Sequence, residues 1–378
     1  MKRQLTIAHI TNNYTPYSGG VVHSIDSLVG GLQQQGHNPF IITLDFLGDA
    51  HDDPEHVVRV TAPIKFMYKK KHCAIPWHCK KWIKRFIQQV DADIVHVHHP
   101  FLLGAAGVQV ARDLGLPVVF TYHTMYEQYS HYVPFFKKIT QPIIKKKVKK
   151  FCSLVDFIVV PSNTIKHQLL EQSITKTITC IPSAINSVFL DMPLCTKKRK
   201  KNDPFNLLFV SRFEKEKNIP FLLDVFAQLD NCFTFTLCGY GTLYETIKNY
   251  AFETLSLSPD RVTFVHKPSH KQLTHFYVQT DCFLFASQTD TQGLVLAEAM
   301  AGSTPVVALH GPGQKDIIID GENGFLVDSK ETMKQCIEKI AHDPELHQKL
   351  KSGAFKTAQK YSSSMFAEKI IKCYEHLV

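Results

Sequence analysis

The chain has 378 residues, of which 44% are hydrophobic and 20% charged, a composition typical of a soluble globular protein with two domains. No apolar run approaches the roughly 20 residues that cross a bilayer, which excludes an integral membrane protein built on spanning helices. Met1 to Gln4 lead directly into a short strand and not into the apolar region of a signal peptide, so we expect a cytoplasmic protein.

Positive charge is concentrated in the first half of the chain. Residues 1–200 carry 25 Lys and Arg against 13 Asp and Glu, whereas the remainder carries 18 against 21. This asymmetry indicates that the N-terminal part contacts a polyanion, either acidic lipid or nucleic acid. The ten cysteines include no Cys-x-x-Cys pair, so we expect reduced thiols and no structural zinc.

The first predicted strand, Leu5 to Thr11, is followed by a loop that ends in Gly19-Gly20 and by a helix from Val21 to Gln35. In a doubly wound domain, a glycine turn between the first strand and the first helix brings the backbone close to a ligand. The spacing here is not that of a dinucleotide fingerprint, which argues against a nicotinamide cofactor. A second strand is predicted over Phe40 to Leu44.

The segment from Lys65 to Arg85 mixes aromatic and cationic residues and holds both tryptophans, Trp77 and Trp82. We predict an amphipathic basic helix here, because this composition is typical of an interfacial membrane anchor. The alternative is a surface helix whose aromatic side chains face the core.

A strand is predicted over Ile94 to His98, and the acidic Asp91 to Asp93 precede it. A metal site is not favoured, because ligands in open α/β sheets gather at the carboxyl ends of strands. His96 and His98 point to one face of the strand and His99 to the other. Hydrogen-bonded histidines are therefore a better interpretation than three zinc ligands.

The next strand, Val118 to Tyr122, delivers His123 at its carboxyl end. A histidine in that position is either an acid or base or a hydrogen-bonded loop residue. A second cationic helix is predicted over Phe135 to Phe151, where five lysines lie between residues 145 and 150. Each lysine near an anionic membrane contributes about 1 kcal/mol. Nucleic acid is the less favoured partner, because no β platform for base stacking is predicted, and a solvated run of charge is the third alternative.

The strand Thr177 to Ile181 closes the first predicted sheet, and strand-helix alternation starts again at Phe205. We therefore predict an N-terminal Rossmann-like domain over residues 1–185 and a linker over 186–204. A second Rossmann-like domain is predicted over 205–360, followed by a C-terminal helix over 361–378.

Two cations follow the first strand of the second domain, Phe205 to Val210. Arg212 and Lys217 lie five residues apart and precede a helix at Pro220, a position from which they can neutralise a diphosphate. The alternative is a solvated loop of mixed charge that includes Glu214.

The stretch from Ala286 to Gly302 predicts a buried strand end, a loop and a helix that opens near Gly293. Free N–H groups at the start of a helix bind phosphate-sized anions. Asp290 and Glu298 flank this point, and we interpret them as acceptors of hydrogen bonds from the hydroxyls of a sugar and a ribose. One site would then hold a sugar nucleotide, whereas an ordinary strand-to-helix corner is the alternative.

Seven residues separate Asp290 from Glu298, and a Gln-Gly-Leu turn lies between them. This spacing resembles the motif of the retaining glycosyltransferases of family four, in which the first acid is usually Glu. The resemblance covers essentially the whole chain. It implies the α/β GT-B fold, in which two doubly wound Rossmann-like domains face each other and a C-terminal helix crosses back to the first. It also implies transfer of a hexose from a nucleotide-sugar, with retained anomeric configuration and without a metal, and UDP-glucose is the first expectation for the donor.

The resemblance also assigns roles to individual residues. It places Arg212 and Lys217 at the diphosphate, Asp290 at the sugar hydroxyls and Glu298 at the ribose. The implied donor-binding residues are Gly20, Arg212, Lys217, Gly239, Gly293, Leu294 and Glu298, and the implied catalytic residues are His123, Arg212, Lys217 and Asp290. His123 would contact the donor sugar near its reacting carbon.

The pattern Tyr-His-Thr-Met-Tyr-Glu at residues 122–127 resembles the branch of the family that glucosylates diacylglycerol. It implies a lipid acceptor at the cytosolic membrane face, with Tyr126, Tyr129 and Tyr132 on the acceptor side. A phosphatidylinositol mannosyltransferase and a polysaccharide-building transferase are alternatives within the class. A sugar-nucleotide epimerase and a protein that only docks on acidic membranes are alternatives outside it. No nucleic acid partner is expected.

Overall fold

The protein is described by a computed structural model that covers residues 3–15, 19–46, 53–68, 71–123, 137–193, 203–290 and 292–378. The chain divides into two compact units. Unit 1 comprises Met1–Ala184 together with Ser363–Val378, and unit 2 comprises Ile185–Ser362. The segment from residue 186 to residue 193, which lies in the predicted linker, contributes Phe189 and Met192 to the hydrophobic core of unit 2.

Unit 1 alternates strands and helices around a parallel sheet. The elements before residue 185 are β1 (Thr6–Ile10), α1 (Gly20–Gln34), β2 (Asn38–Leu44), β3 (Val57–Val60), β4 (Ile64–Tyr68), β5 (Lys71–Ile75), α2 (Cys79–Gln89), β6 (Ile94–Val97), α3 (Leu103–Asp113), β7 (Val118–Thr121), α4 (Lys137–Ser153), β8 (Phe157–Val160), α5 (Asn163–Glu171) and β9 (Thr177–Cys180). The strand order is β3-β2-β1-β6-β7-β8-β9, so the direction in which the sheet grows reverses between β1 and β6.

Unit 2 repeats this plan. Its elements are α6 (Ser187–Leu190), β10 (Phe205–Arg212), α7 (Ile219–Phe226), β11 (Phe233–Tyr240), α8 (Tyr244–Asn249), β12 (Val262–His266), α9 (His270–Gln279), β13 (Cys282–Phe285), α10 (Leu294–Ala301), β14 (Val306–Leu309), β15 (Gly324–Val327), α11 (Lys330–His342) and α12 (Pro344–Ala358). The parallel strands run in the order β12-β11-β10-β13-β14-β15, with the reversal between β10 and β13.

The strands form where short apolar runs are covered by helices on both faces. All residues of β6, β7, β8, β13 and β14 are buried, which is the pattern of the central strands of a parallel sheet. Side chains on the helices complete the layers, as Leu296 and Met300 of α10 do in unit 2. The predicted class, α/β with two Rossmann-like doubly wound domains, is confirmed.

The predicted helix over Lys65 to Arg85 is wrong in its first half. That stretch forms an antiparallel hairpin of β4 and β5, and α2 begins only at Cys79. Ile64, Phe66 and Tyr68 are β-branched or aromatic, the residue types that favour a strand. Pro76 also prevents one continuous helix across the segment, since a proline inside a helix removes a hydrogen bond and clashes with the preceding turn.

The last helix, α13 (Ser363–Glu375), belongs to unit 1. It packs against α1, where Gly31 permits a close approach: a Cβ atom there would lie 2.5 Å from the carbonyl oxygen of Ser363. Phe366, Ile370 and Tyr374 of α13 enter the same hydrophobic cluster as side chains from α1 and the sheet. The first unit therefore contains residues from both ends of the chain.

Candidate functional site

The predicted site residues of unit 2 gather at the carboxyl edge of its sheet, on both sides of the strand-order reversal. Arg212 ends β10, and Lys217 lies in the 3-10 turn that follows. Asp290 follows β13, the strand next to β10. In open α/β sheets such a reversal leaves a crevice in which ligands bind. The topology thus brings together residues that are far apart in the sequence.

Lys217 and Asp290 form an ion pair at this crevice. The Nζ of Lys217 lies 2.7 Å from Oδ1 and 2.9 Å from Oδ2 of Asp290. The lysine side chain is only 9% exposed and the aspartate side chain 25%, and the ring of Phe285 lies 6.0 Å from the ammonium. A largely buried ammonium needs such a partner, because an unpaired charge in this environment loses its hydration without compensation.

Arg212 lies in a different environment from Lys217. Its side chain is 55% exposed, and its guanidinium has a loose contact of 3.4 Å with Glu216. The neighbouring Glu214 instead accepts hydrogen bonds from the backbone N–H and the hydroxyl of Thr242. An exposed pair of this kind contributes little to stability, so Arg212 keeps its charge available for an anion at low cost.

The start of α10 has the backbone geometry that the sequence predicts. Gly293 is the residue before the helix and has a φ of +67°, in the left-handed region that favours glycine. Within the described residues no side chain caps this end of the helix, so its first N–H groups are available to an anion. Leu294 is the first residue of the helix.

A loop after β14 fixes the position of Asp290. The N–H of Gly313 donates to the carbonyl oxygen of Asp290 at 2.9 Å. The side-chain amide of Gln314, in the same loop, donates to the carbonyl oxygen of Ser287. Sequence reasoning did not identify this support, because the Gly-Pro-Gly-Gln stretch of residues 311–314 reads only as a turn.

Glu298 lies in the second turn of α10. The hydroxyl of Tyr277 donates to its Oε2 at 3.0 Å, and burial raises the pKa of the Glu298 carboxyl to about 7. Tyr277 is fully buried in α9, and burial beside Glu298 raises the pKa of its hydroxyl as well. Tyr277 was missed in the sequence, where it is one apolar-face residue of a helix and carries no separate signal.

Gly239 near the end of β11 lies against the end of β10. A Cβ atom on Gly239 would lie 1.8 Å from the carbonyl oxygen of Ser211, and one on Gly241 would lie 2.4 Å from that of Phe213. Only glycine fits at such distances, so this Gly-x-Gly loop is held close to the strand that carries Arg212. The intervening Tyr240 is exposed.

Two predicted site residues lie in unit 1. Gly20 is the first residue of α1, after the loop that follows β1, and is exposed. His123 follows β7, and its Nε2 lies 2.9 Å from Nδ1 of His98. Burial lowers the pKa of His123 to about 3, so its imidazole is neutral near pH 7. The predicted acceptor residues Tyr126, Tyr129 and Tyr132 lie outside the described residues.

Histidines of neighbouring strands cluster in unit 1. Among the described residues, His9, His96 and His98 are the group whose ring nitrogens approach one another closely enough for a metal ion, within 4.8 Å. Five of their six ring nitrogens already have hydrogen-bond partners: His9 pairs with His98, His98 with His123, and His96 with Tyr374 and Thr121. A metal ion would have to displace these bonds, so the donor set fits a hydrogen-bonded cluster better than a metal centre.

A cationic and aromatic surface covers part of unit 1. We define it as the exposed cationic and large apolar residues of α2 and α4 with the preceding Trp77. It comprises Trp77, Lys80, Lys81, Trp82, Lys84, Arg85, Ile143, Lys145, Lys146, Lys147, Lys149 and Lys150. Trp77 is 63% exposed, and Trp82 stacks on Phe86 with parallel rings 5.5 Å apart. The two tryptophans thus face outwards and not into the core.

The sequence of each unit matches a family model. Residues 18–188 match the model of Glycosyltransferase Family 4, and residues 195–357 match that of Glycosyl transferases group 1. Together the two models cover most of the chain. It belongs to glycosyltransferase family four. It is therefore a glycosyltransferase, and the predicted family and the GT-B fold are confirmed.

Two curated relatives of this family-four enzyme share a name. The alpha-monoglucosyldiacylglycerol synthase of Streptococcus pneumoniae is 28% identical over 357 residues, which cover 91% of this chain and 80% of the relative. The enzyme of the same name from Acholeplasma laidlawii is 25% identical, with 99% of this chain and 98% of the relative covered. The predicted likeness to the diacylglycerol glucosyltransferase branch is thus confirmed.

A solved structure of Anabaena HepE in complex with UDP-glucose has the same fold as this glycosyltransferase. The TM-score is 0.72 and the identity 15%, and 99% of this chain and 100% of the other are covered. Among the described residues, no helix of the glycosyltransferase combines the length and the hydropathy needed to cross a membrane.

Proposed function

We propose that this glycosyltransferase moves glucose from UDP-glucose to a hydroxyl of a lipid, with retention of the anomeric configuration. The lipid that we propose is 1,2-diacylglycerol. The proposed acceptor is supported by the similarity, over nearly the whole chain, to two relatives that are named alpha-monoglucosyldiacylglycerol synthases. HepE, whose fold is the same, was solved with UDP-glucose, which supports a nucleotide-sugar as the donor.

In the proposed site the diphosphate lies between the start of α10 and the cations after β10. Arg212 is exposed and loosely paired, so it can turn to a phosphate at little cost. The uncapped N-terminus of α10 at Gly293 and Leu294 supplies backbone donors. These groups would stabilise the negative charge that develops on the leaving phosphate, and no metal is assigned to that task.

Lys217 and Asp290 exchange partners in this proposal. In the structure they neutralise each other at 2.7 Å. When the donor binds, its phosphate takes over the ammonium of Lys217, and the carboxylate of Asp290 accepts hydrogen bonds from the sugar hydroxyls. Glu298 accepts from the ribose, Gly239 approaches the nucleoside, Gly20 faces the diphosphate, and His123 contacts the sugar near its reacting carbon.

The lipid acceptor requires the enzyme to work at a membrane surface. The cationic and aromatic surface of α2 and α4 has the composition of a peripheral site, because lysines attract anionic head groups and exposed tryptophans settle at the interface. We propose that the enzyme is a cytoplasmic protein that binds the membrane through this surface.

The test is an incubation of the purified protein with UDP-glucose or, separately, GDP-mannose, with and without anionic vesicles that contain diacylglycerol. Mass spectrometry of the lipids and an assay of released nucleotide are the readouts. Glucosyldiacylglycerol from UDP-glucose alone is the expected result, and proton NMR of the product reports its anomeric configuration. Nucleotide release without a glycolipid would refute the acceptor, and a mannolipid from GDP-mannose would refute the donor.

A further inference from the structure

Three histidines of unit 1 form a continuous hydrogen-bonded chain. His9 in β1 lies opposite His96 in the register with β6, so His98, two residues further on, projects from the same face. The Nδ1 of His9 lies 3.1 Å from Nε2 of His98, and the Nδ1 of His98 lies 2.9 Å from Nε2 of His123. The three rings thus connect head to tail across β1, β6 and the end of β7.

The three hydrogen-bonded histidines share only three ring protons, because each ring is neutral near pH 7. Burial lowers the pKa of His9 and of His123 to about 3 and the pKa of His98 well below its ordinary value. Each neutral imidazole carries one N–H, and each of the two hydrogen bonds needs one proton. Only two arrangements satisfy both bonds: all three rings are protonated on Nδ1, or all three on Nε2.

The inner end of the chain distinguishes the two arrangements. The Nε2 of His9 is fully buried and has no hydrogen-bond partner among the described residues. Protonation of all three rings on Nε2 would bury an unpaired N–H at this atom, whereas protonation on Nδ1 leaves only a lone pair there. Buried N–H groups without an acceptor are rarer in proteins than under-satisfied acceptors, so the geometry favours protonation on Nδ1.

We propose that His9 and His98 are positioning residues that hold His123 with its proton on Nδ1. The inference rests on the proposed contact of His123 with the donor sugar. A histidine fixed in this way presents an N–H donor and does not act as a base, because its Nε2 lone pair already accepts from His98. The three histidines do not shuttle protons either, since the Nε2 of His9 has no partner within the described part of the protein to which a proton could pass.

His96 provides an internal comparison. It lies on the same face two residues before His98 and is equally buried, and its ring stacks on that of His98 with centroids 4.5 Å apart. Its Nδ1 lies 2.6 Å from the hydroxyl of Tyr374 and its Nε2 2.7 Å from that of Thr121. It is thus hydrogen-bonded outside the chain, and its loss should affect stability without changing the proton position on His123.

The direct test is two-bond proton–nitrogen correlation NMR on protein with 15N-labelled histidine, which reports which ring nitrogen carries the proton. The His123 signals are assigned by their loss in His123→Asn. In the wild type we expect a single form of His123 protonated on Nδ1. His98→Phe should convert it to a mixture or to the other form, and His96→Phe should leave it unchanged. His98→Asn keeps a polar group near the Nδ1 position and should restore the wild-type form.

The kinetic test separates positioning from folding. In the glucosyltransferase assay His98→Phe should lower kcat by about tenfold to a hundredfold, a typical loss when a group that orients a functional histidine is removed. The KM for the donor should change less, and His98→Asn should recover part of the kcat. His96→Phe should lower the melting temperature while kcat changes by less than about threefold, because it leaves the hydrogen bonds among His9, His98 and His123 intact.

Several results would overturn the inference. A His123 protonated on Nε2 in the wild type, or unaffected by His98→Phe, would contradict the chain, and so would zinc-induced loss of the His9, His96 and His98 signals. A normal kcat in His98→Phe despite a changed proton position would refute the positioning role while transfer itself stood. If the wild type transfers no sugar, the proposed function fails, and the NMR result still decides the proton position.

Discussion

Neutralising Asp290 alone should destabilise unit 2 more than neutralising Asp290 and Lys217 together. Asp290→Asn removes the charge with almost no change of shape and leaves the buried ammonium of Lys217 without its partner. Lys217→Met replaces that ammonium by an apolar side chain of similar length. The double variant buries no unpaired charge, so its cost should be smaller than the sum of the two single costs.

The size of the effect follows from distance and burial. At 2.7 Å and an effective dielectric constant of about 20, the gross attraction between the two charges is about 6 kcal/mol. Much of this offsets the lost hydration of the lysine, which is only 9% exposed. Breaking a fully buried pair costs about 3–5 kcal/mol, and the 25% exposure of Asp290 reduces our expectation for Asp290→Asn to about 2–3 kcal/mol. The double variant should lose about 1 kcal/mol.

The assay is urea unfolding of the four proteins, with pulse proteolysis to follow unit 2. Both tryptophans of the chain lie in unit 1, so their fluorescence reports the unfolding of unit 1. The unfolding free energy measured by fluorescence should therefore be the same in all four proteins. Lys334 and Glu338, an i,i+4 pair on α11 at 2.8 Å, are the matched control, and neutralising them should cost only about 0.3–0.5 kcal/mol. The coupling would be refuted if the loss of unfolding free energy in the double variant equalled the sum of the two single losses to within about 0.5 kcal/mol.

Three further predictions concern ionisation, the membrane and backbone packing. Burial raises the pKa of Glu298 to about 7, so the neutral carboxyl stabilises the fold at low pH, and this stabilisation is lost as pH rises through about 7. The unfolding free energy of the wild type relative to Glu298→Gln should therefore fall between about pH 5 and pH 8, and a constant difference would contradict it. Replacing the five lysines of residues 145–150 by Gln should weaken sedimentation with anionic vesicles by more than about tenfold; the same change at Lys349, Lys356 and Lys360 is the control, and equal loss in both would refute a specific surface. Gly239→Ala should lower the melting temperature and raise the KM for the donor, since its Cβ would lie 1.8 Å from a backbone oxygen, and a normal KM in the folded variant would contradict a close approach to the donor.

Local sequence patterns were sufficient for most of the fold. Buried strands such as Cys282–Phe285 are short apolar runs, and Gly293 and Gly302 bound α10 as the sequence predicts. The pattern failed between Lys65 and Arg85, where cationic and aromatic composition suggested one helix. The decisive features there were the β-branched and aromatic residues at the start of the segment and the proline at position 76.

The side-chain partnerships of the site depend on contacts between strands that are distant in the sequence. Lys217 and Asp290 meet because β10 and β13 are neighbours, although 73 residues separate them. Tyr277 reaches Glu298 only because α9 packs near α10. Local patterns in a single sequence predict strands and the ends of strands, but they do not reveal the order in which the strands assemble, and that order determines which side chains pair.

The return of the last helix to unit 1 has a consequence for synthesis. A nascent chain makes β1 to β9 first, but Phe366, Ile370 and Tyr374 of the same hydrophobic cluster come after the whole of unit 2. At about 5–20 residues per second, the roughly 180 residues in between take on the order of 10–40 s to translate. During that time the ribosome-bound first domain exposes the apolar groove that α13 will fill. A chaperone that covers this groove would therefore assist a domain whose own strands are already complete.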